Sequence, residues 1–132
     1  TQLWSDGNYL VLTCIANPGT FVWTVSALAN NQAGTTVTGT QFNLPMGGLP
    51  VNGGLFVADT GFDRVVWWSS MSTALAGGAP TAVLGASTGA TKANSGLGIS
   101  KFRMPRSLMV THGYLWVGEQ KFGNRVLRFK LS

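Results

Sequence analysis

Charge is scarce in this chain. Only 10% of its 132 residues are charged, against about a quarter in an ordinary globular domain, so much of the polar surface must come from Thr, Ser, Asn and the backbone. Cysteine is scarcer still. Cys14 stands alone, which excludes an internal disulfide. It lies in the apolar run Leu10–Ile15, where a lone thiol packs as a small, buried, inert hydrophobe. A metal-binding or nucleophilic thiol would need His or Cys partners, and the chain has a single His. No apolar run approaches the ~18 residues of a membrane-spanning helix. No signal peptide is recognisable, and the chain starts at Thr1 rather than Met, which leaves room for a removed upstream segment.

What is abundant points to β structure. Hydrophobic residues make up 45% of the chain, with 18 glycines and five tryptophans, a composition suited to short strands, tight turns and aromatic packing between sheets. The net charge of +5 is unevenly placed. Residues 92–132 hold eight cations against Glu119 alone, a net +7, whereas residues 1–91 hold Arg64 against Asp6, Asp59 and Asp63, a net −2. Such asymmetry marks either an anionic partner or a dipolar molecule whose ends attract each other in an oligomer.

Two stretches copy each other: FNLPMGGLPVNGGLFVADTGFDRVVWW from Phe42 to Trp68, and FRMPRSLMVTHGYLWVGEQKFGNRVLRF from Phe102 to Phe129. Phe42 and Phe102, Pro45 and Pro105, Leu55 and Leu115, and Val57 and Val117 are spaced by 60, and one extra turn residue then sets Arg64-Val65 against Arg125-Val126. A fixed internal period predicts a repeat architecture. The turn signals divide the copies into strands Met46–Val51, Leu55–Ala58, Arg64–Ser69 and Thr81–Gly85, then Ser107–Thr111, Tyr114–Gly118 and Arg125–Leu131. A weaker copy precedes them: Tyr9–Thr13 matches at an offset of 46, Phe21-Val22-Trp23 at 44, and Thr36–Gly39 at 46, with Leu3-Trp4 left of an innermost strand.

Four-stranded meanders of this kind are the blades of a β-propeller. The expected architecture is all-β with about three blades, approximately residues 1–41, 42–101 and 102–132, the last lacking its outer strand. Ala86–Lys101, rich in Gly, Ser, Thr and Ala, reads as a long polar connection between blades. Three blades cannot close a ring, and an open stack exposes an apolar face at each end. Two copies total 264 residues, suited to six blades of about 40–50 residues each, so a two-fold homodimer is expected to close the ring. The alternative is a piece of a longer single-chain propeller.

These residues resemble NHL repeats, whose pattern runs F-x-x-P, a Gly turn, an L-Φ-V-A-D strand end, a T-G-F-D-R-V turn and an aromatic closing strand. Phe42, Pro45, Leu55, Val57, Ala58, Asp59, Thr60, Gly61, Arg64 and Val65 match, as do Phe102, Pro105, Leu115, Val117, Asn124, Arg125, Val126, Leu127 and Phe129. Residues 1–41 depart from it: Thr13-Cys14 replaces Asp-Thr and Thr20 stands in place of Arg, so the first blade is expected to lack the polar turn network. Asp59 with Arg64, and Glu119 with Arg125, are expected to be structural turn pairs in which a carboxylate takes a guanidinium bidentately. Trp23, Trp67, Trp68 and Trp116 read as packing between blades.

The resemblance implies a binding or scaffold module for a protein, peptide or glycan, with no cofactor. A basic loop face of Lys92, Lys101, Arg103 and Lys121, with Asp63 nearby, is the candidate ligand surface. Some propellers of this type bind RNA through such a face, and attraction to phosphate drives that affinity. Related lyases and metal-dependent hydrolases gather several His, Glu, Asp or Asn ligands in the central channel. One His and four carboxylates are a thin supply for such a metal site, and His112 sits in a Gly turn suited to a solvated imidazole. Both a cytoplasmic and an exported location fit, since disulfides are absent and similar bacterial repeat proteins are often exported.

Overall fold

The computed structural model describes residues 2–85, 101–121 and 123–131. The chain is all-β, with one short helix, and forms three antiparallel sheets in succession. The first sheet holds β1 (Gln2–Ser5), β2 (Tyr9–Cys14), β3 (Gly19–Thr24) and the two-residue β4 (Thr35–Thr36). The second holds β5 (Pro45–Val51), β6 (Gly54–Asp59), β7 (Arg64–Trp68) and β8 (Ala82–Leu84), with α1 (Met71–Leu75) between the last two. The third holds β9 (Pro105–Thr111), β10 (Tyr114–Glu119) and β11 (Val126–Lys130). Consecutive strands are neighbours in every sheet, the meander of a propeller blade. The three sheets are called blades 1, 2 and 3.

Turn chemistry sets the hairpins. Asn52 and Gly53 have φ of 51° and 74°, and His112 and Gly113 have 51° and 75°, the pair of left-handed residues that a two-residue hairpin requires. Strand alternation then gives each blade two different faces. In blade 2, Leu55, Val57, Val66 and Trp68 face blade 1, where Val11, Val22 and Val37 complete one buried core. On the opposite side Phe56, Ala58 and Val65 meet Leu115, Val117 and Phe102 in a second core. The inner strands converge most closely at Gly47 and Gly48. A Cβ on Gly48 would stand 2.7 Å from Val11 Cγ1, and one on Gly47 would meet the carbonyl oxygen of Arg106. Side chains are therefore excluded on both sides of β5 where the blades approach.

The pairing register corrects the alignment of blade 1. Cys14 pairs with Gly19 across four turn residues, as Asp59 pairs with Arg64. The offset is therefore 45 through both β2 and β3, not 46 and 44. A one-residue slip moves every side chain to the other face. Cys14 and Gly19, not Thr13 and Thr20, occupy the acid and arginine positions, so blade 1 does lack the turn pair, but by a different substitution. Cys14 is also half-buried rather than buried, because it shares the uncovered side of blade 1 with Leu10 and Leu12. β1 is longer than the remnant expected, and α1, which the turn signals did not mark, places Met71 and Ala74 in the core.

Thr13 and Thr20 correspond to Ala58 and Val65. All four are fully buried, and the hydroxyls of the two threonines have no hydrogen-bond partner among the described residues. A buried unpaired hydroxyl costs about 1–3 kcal/mol, while Val fills the same volume. Thr20→Val is expected to stabilise the protein by about 1 kcal/mol, read as a higher denaturant midpoint. A lower midpoint would show that the hydroxyl is bonded.

Candidate functional site

In blades 2 and 3 the turn after the second strand carries an acid and an arginine that work as a clamp. In blade 2, β6 ends at Asp59, residues 60–62 form one 3-10 turn, and Asp63 turns left-handed at φ 52° before β7 starts at Arg64. This brings Arg64 Nε to 2.8 Å from Asp59 Oδ2, with the two side chains 1% and 0% exposed. Asp59 Oδ1 accepts the backbone N–H of Asn43 at 2.7 Å, and Arg64 Nη2 donates to the Gln41 carbonyl at 2.5 Å and to Thr40 Oγ1 at 3.3 Å. The pair thus grips residues 40–43 as they arrive from blade 1. Asn43 is held at its carbonyl too, by the N–H of Gly61 at 2.8 Å.

Blade 3 repeats the device. Arg125 Nε donates to Glu119 Oε2 and Nη2 to Oε1, both at 2.8 Å, and Nη2 also reaches the Lys101 carbonyl at 2.9 Å. Glu119 Oε1 accepts the N–H of Arg103 at 2.8 Å. The longer Glu side chain and the extra turn residue go together. Lys121 and Asn124 adopt φ of 55° and 45°, and Gly123 packs so closely on the Glu119 carboxylate that a Cβ would overlap it. Two further bonds join blade 2 to blade 3: Thr60 Oγ1 donates to the Pro105 carbonyl at 2.6 Å, and Asp63 Oδ1 accepts the N–H of Met104 at 2.8 Å.

The two acids are shifted in opposite directions from their ordinary values. Burial pushes the Asp59 carboxyl up to about 6, outweighing the Asn43 N–H and the Arg64 guanidinium that favour its charge. Burial also raises Glu119, but less than the bonds from Arg125 and the Arg103 N–H lower it, so its carboxyl lies below the ordinary 4.5. The Asp59 contribution to stability is therefore complete below pH 3.8 and lost as pH rises through about 6,. That of Glu119 is present above pH 4.5 and lost as pH falls through its depressed native value,.

The candidate basic face is gathered in part. Lys101 and Lys121 are exposed and Arg103 half-buried, and the backbone at 101 and 103 is pinned to the Glu119–Arg125 pair. Asp63 is spent on Met104. Lys92 lies outside the described residues. His112 is exposed, with Nδ1 2.9 Å from Thr111 Oγ1. No three or more His, Cys, Asp or Glu side chains cluster as metal ligands among the described residues, and no described helix is long and apolar enough to cross a membrane. One cation was missed in the sequence. Arg106, on the innermost strand of blade 3, lines a polar cleft of about 470 Å³ with Gln2, Ser107 and Gln120. With the Gln2 amide oxygen turned toward it, Arg106 donates from Nε and Nη2 at 3.2 Å. Its signal was a lone Arg in a strand that otherwise copies the apolar β5.

Two measurements test the clamps. A carbon-13 carboxyl titration should give a midpoint near 6 for Asp59 and below 4.5 for Glu119; an Asp59 midpoint at or below 3.8 contradicts the burial argument. Arg64→Ala leaves a fully buried acid without its arginine and should cost about 3–5 kcal/mol in unfolding free energy. Arg125 is 22% exposed but the Glu119 side chain is 0% exposed, so Arg125→Ala strands a buried carboxylate that keeps the Arg103 N–H and should cost about 1–3 kcal/mol, less than Arg64→Ala; equal losses would refute the difference in burial between the two arginines. Compared with known proteins, the chain matches no family model and no curated sequence.

Proposed function

We propose that this chain is a binding or scaffold module of NHL-repeat type, three blades of a propeller that a second copy completes to six. The observation that carries the reading is the pair of uncovered faces. Each internal interface packs the side holding Leu55 and Val57, or Leu115 and Val117, onto the opposite side of the preceding blade. Blade 1 leaves the first kind of face open, with Leu3 59% exposed beside Leu10, Leu12, Phe21 and Trp23. Blade 3 leaves the second kind open, with Met109 53% and Val126 68% exposed beside Tyr114 and Trp116.

These two faces are the matching halves of the interface that the chain already makes twice. Arg128 lies over the Tyr114 and Trp116 rings at 4.5 and 5.5 Å, and the Trp116 indole N–H is shielded without a partner among the described residues. Residues 1–41 carry no cation, so blade 1 does not repel the basic blade 3. A two-fold axis makes both contacts at once. The loops at Lys101, Arg103 and Lys121 then form a basic rim on the module, suited to an anionic or polar partner.

Light scattering should find a species of about 28 kDa, twice the 13.9 kDa chain. Leu3→Asp and Met109→Asp should each return it to the single-chain mass. A stable monomer of the unmodified chain at tens of micromolar would sink the closed dimer.

A further inference from the structure

Among the described residues Arg106 is the one cation set into an innermost strand, and the backbone aims it. β9 bulges there: Ser107 pairs with Gly118 and Pro105 with Glu119, which leaves Arg106 as the extra residue. β5 carries the same bulge at Met46. A bulge turns its side chain out of the ordinary alternation of the strand. The Arg106 guanidinium reaches past β5 to blade 1. There the Gln2 amide, with its oxygen turned toward Arg106, accepts from Nε and Nη2 at 3.2 Å and donates to the Met46 carbonyl at 3.1 Å. One point thus ties all three innermost strands, and innermost strands wall the central channel of a propeller.

The bond to Gln2 uses one edge of a planar group that presents five N–H donors in a fixed fork. The Nη1–Nη2 edge has no partner among the described residues, and Arg106 lines the polar cleft of about 470 Å³. Glu119 and Arg125 line it too, but their charges cancel: the Glu119 oxygens are taken by Arg125 and the Arg103 N–H. The cleft therefore carries one net positive charge, that of Arg106. In the same lining the Gln120 side-chain oxygen is shielded from solvent with no partner among the described residues, an acceptor that a donor must satisfy. Packing of a further blade cannot repeat the internal interfaces at this point. Ser107 stands where blade 2 has Gly47, and a Cβ at Gly47 would meet the Arg106 carbonyl oxygen. No strand can approach β9 at Ser107 as closely as β9 approaches β5, whichever chain supplies it.

We propose that this cleft binds a small hydroxycarboxylate of the sugar-acid class. The carboxylate takes the free guanidinium edge bidentately, through two parallel N–H···O bonds. Its single charge matches the single net charge of the cleft, whereas a phosphate dianion would leave part of its charge uncompensated. A hydroxyl beside the carboxyl group donates to the Gln120 oxygen. Further hydroxyls suit Ser107 and Asn124, exposed side chains of the lining that both donate and accept,. The volume falls within the roughly 300–1,000 Å³ of small-molecule sites. The inference goes beyond the basic rim at Lys101, Arg103 and Lys121, shares no residue with it, and needs no second copy.

The test is a titration of the chain with sodium glucuronate and sodium gluconate, followed by NMR. The backbone amide resonances of Ser107 and Gln120 and the Gln120 side-chain amide should move, with a dissociation constant on the order of a millimolar. Glucose shares the hydroxyls and propionate the charge, so each should bind about tenfold more weakly, lacking half of the recognition. Arg106→Gln should weaken the sugar acid about tenfold while the rest of the amide spectrum stays in place. Gln120→Met should bring the sugar acid down to the level of propionate and leave propionate unchanged. Equal movement with sodium chloride, with glucose or in Arg106→Gln overturns the proposal, as does a response confined to Lys101, Arg103 and Lys121. Tighter binding of inorganic phosphate than of either sugar acid overturns it too and makes the cleft a general anion site. So does the absence of any shift with both sugar acids.

Discussion

A carboxylate that closes one turn while holding the chain arriving from the previous blade is the interaction on which the rest of this architecture depends. Two oxygens offer about four acceptor sites, enough for a guanidinium on one edge and a backbone N–H on the other. At Asp59 those partners are Arg64 and Asn43; at Glu119 they are Arg125 and Arg103. The bend that follows is strained. Leu44 and Met104, each just before a proline, have φ of 51° and 52°, a region disfavoured for residues with a Cβ. The clamps fix the backbone one residue upstream of each bend, so the inner strands β5 and β9 start at the right place and angle.

Around the clamps the blades are held by faces of unlike character. Near the axis Gly47 and Gly48 let the backbones approach, and farther out Leu55, Val57, Trp68, Leu115 and Phe129 fill the widening wedge. Blade 1 does without a clamp, with Cys14 and Gly19 at its positions. Its turn is held instead by strand pairing and by the apolar core on its covered side. The buried threonines of that side sit where blade 2 uses Ala58 and Val65, so blade 1 has the shape of the repeat with less favourable chemistry.

Much of this was legible in residue spacing. The period of 60 located both clamps, both two-residue hairpins and the inner prolines, because each depends on residues close in sequence: Asp59 with Arg64, Asn52 with Gly53. The first blade was misread where local similarity misled. YLVLT resembles LFVAD at several positions, and only the closing pair Cys14–Gly19 shows which face each residue occupies. Arg106 was missed because its partner Gln2 is remote in sequence, and α1 because five residues carry too weak a periodic signal.

Sequence alone determined the all-β class, the blade count, the acid–arginine pairs and the asymmetry of charge, since period, turn chemistry and composition are local properties. Tertiary structure alone decided which face of blade 1 is covered, that the Asp59 and Glu119 carboxyls are shifted in opposite directions, and that α1 plugs the outer rim between blades 1 and 2. The reason is physical. Burial, desolvation and the shape of a groove are properties of what lies across from a residue, and in this fold that neighbour comes from another blade.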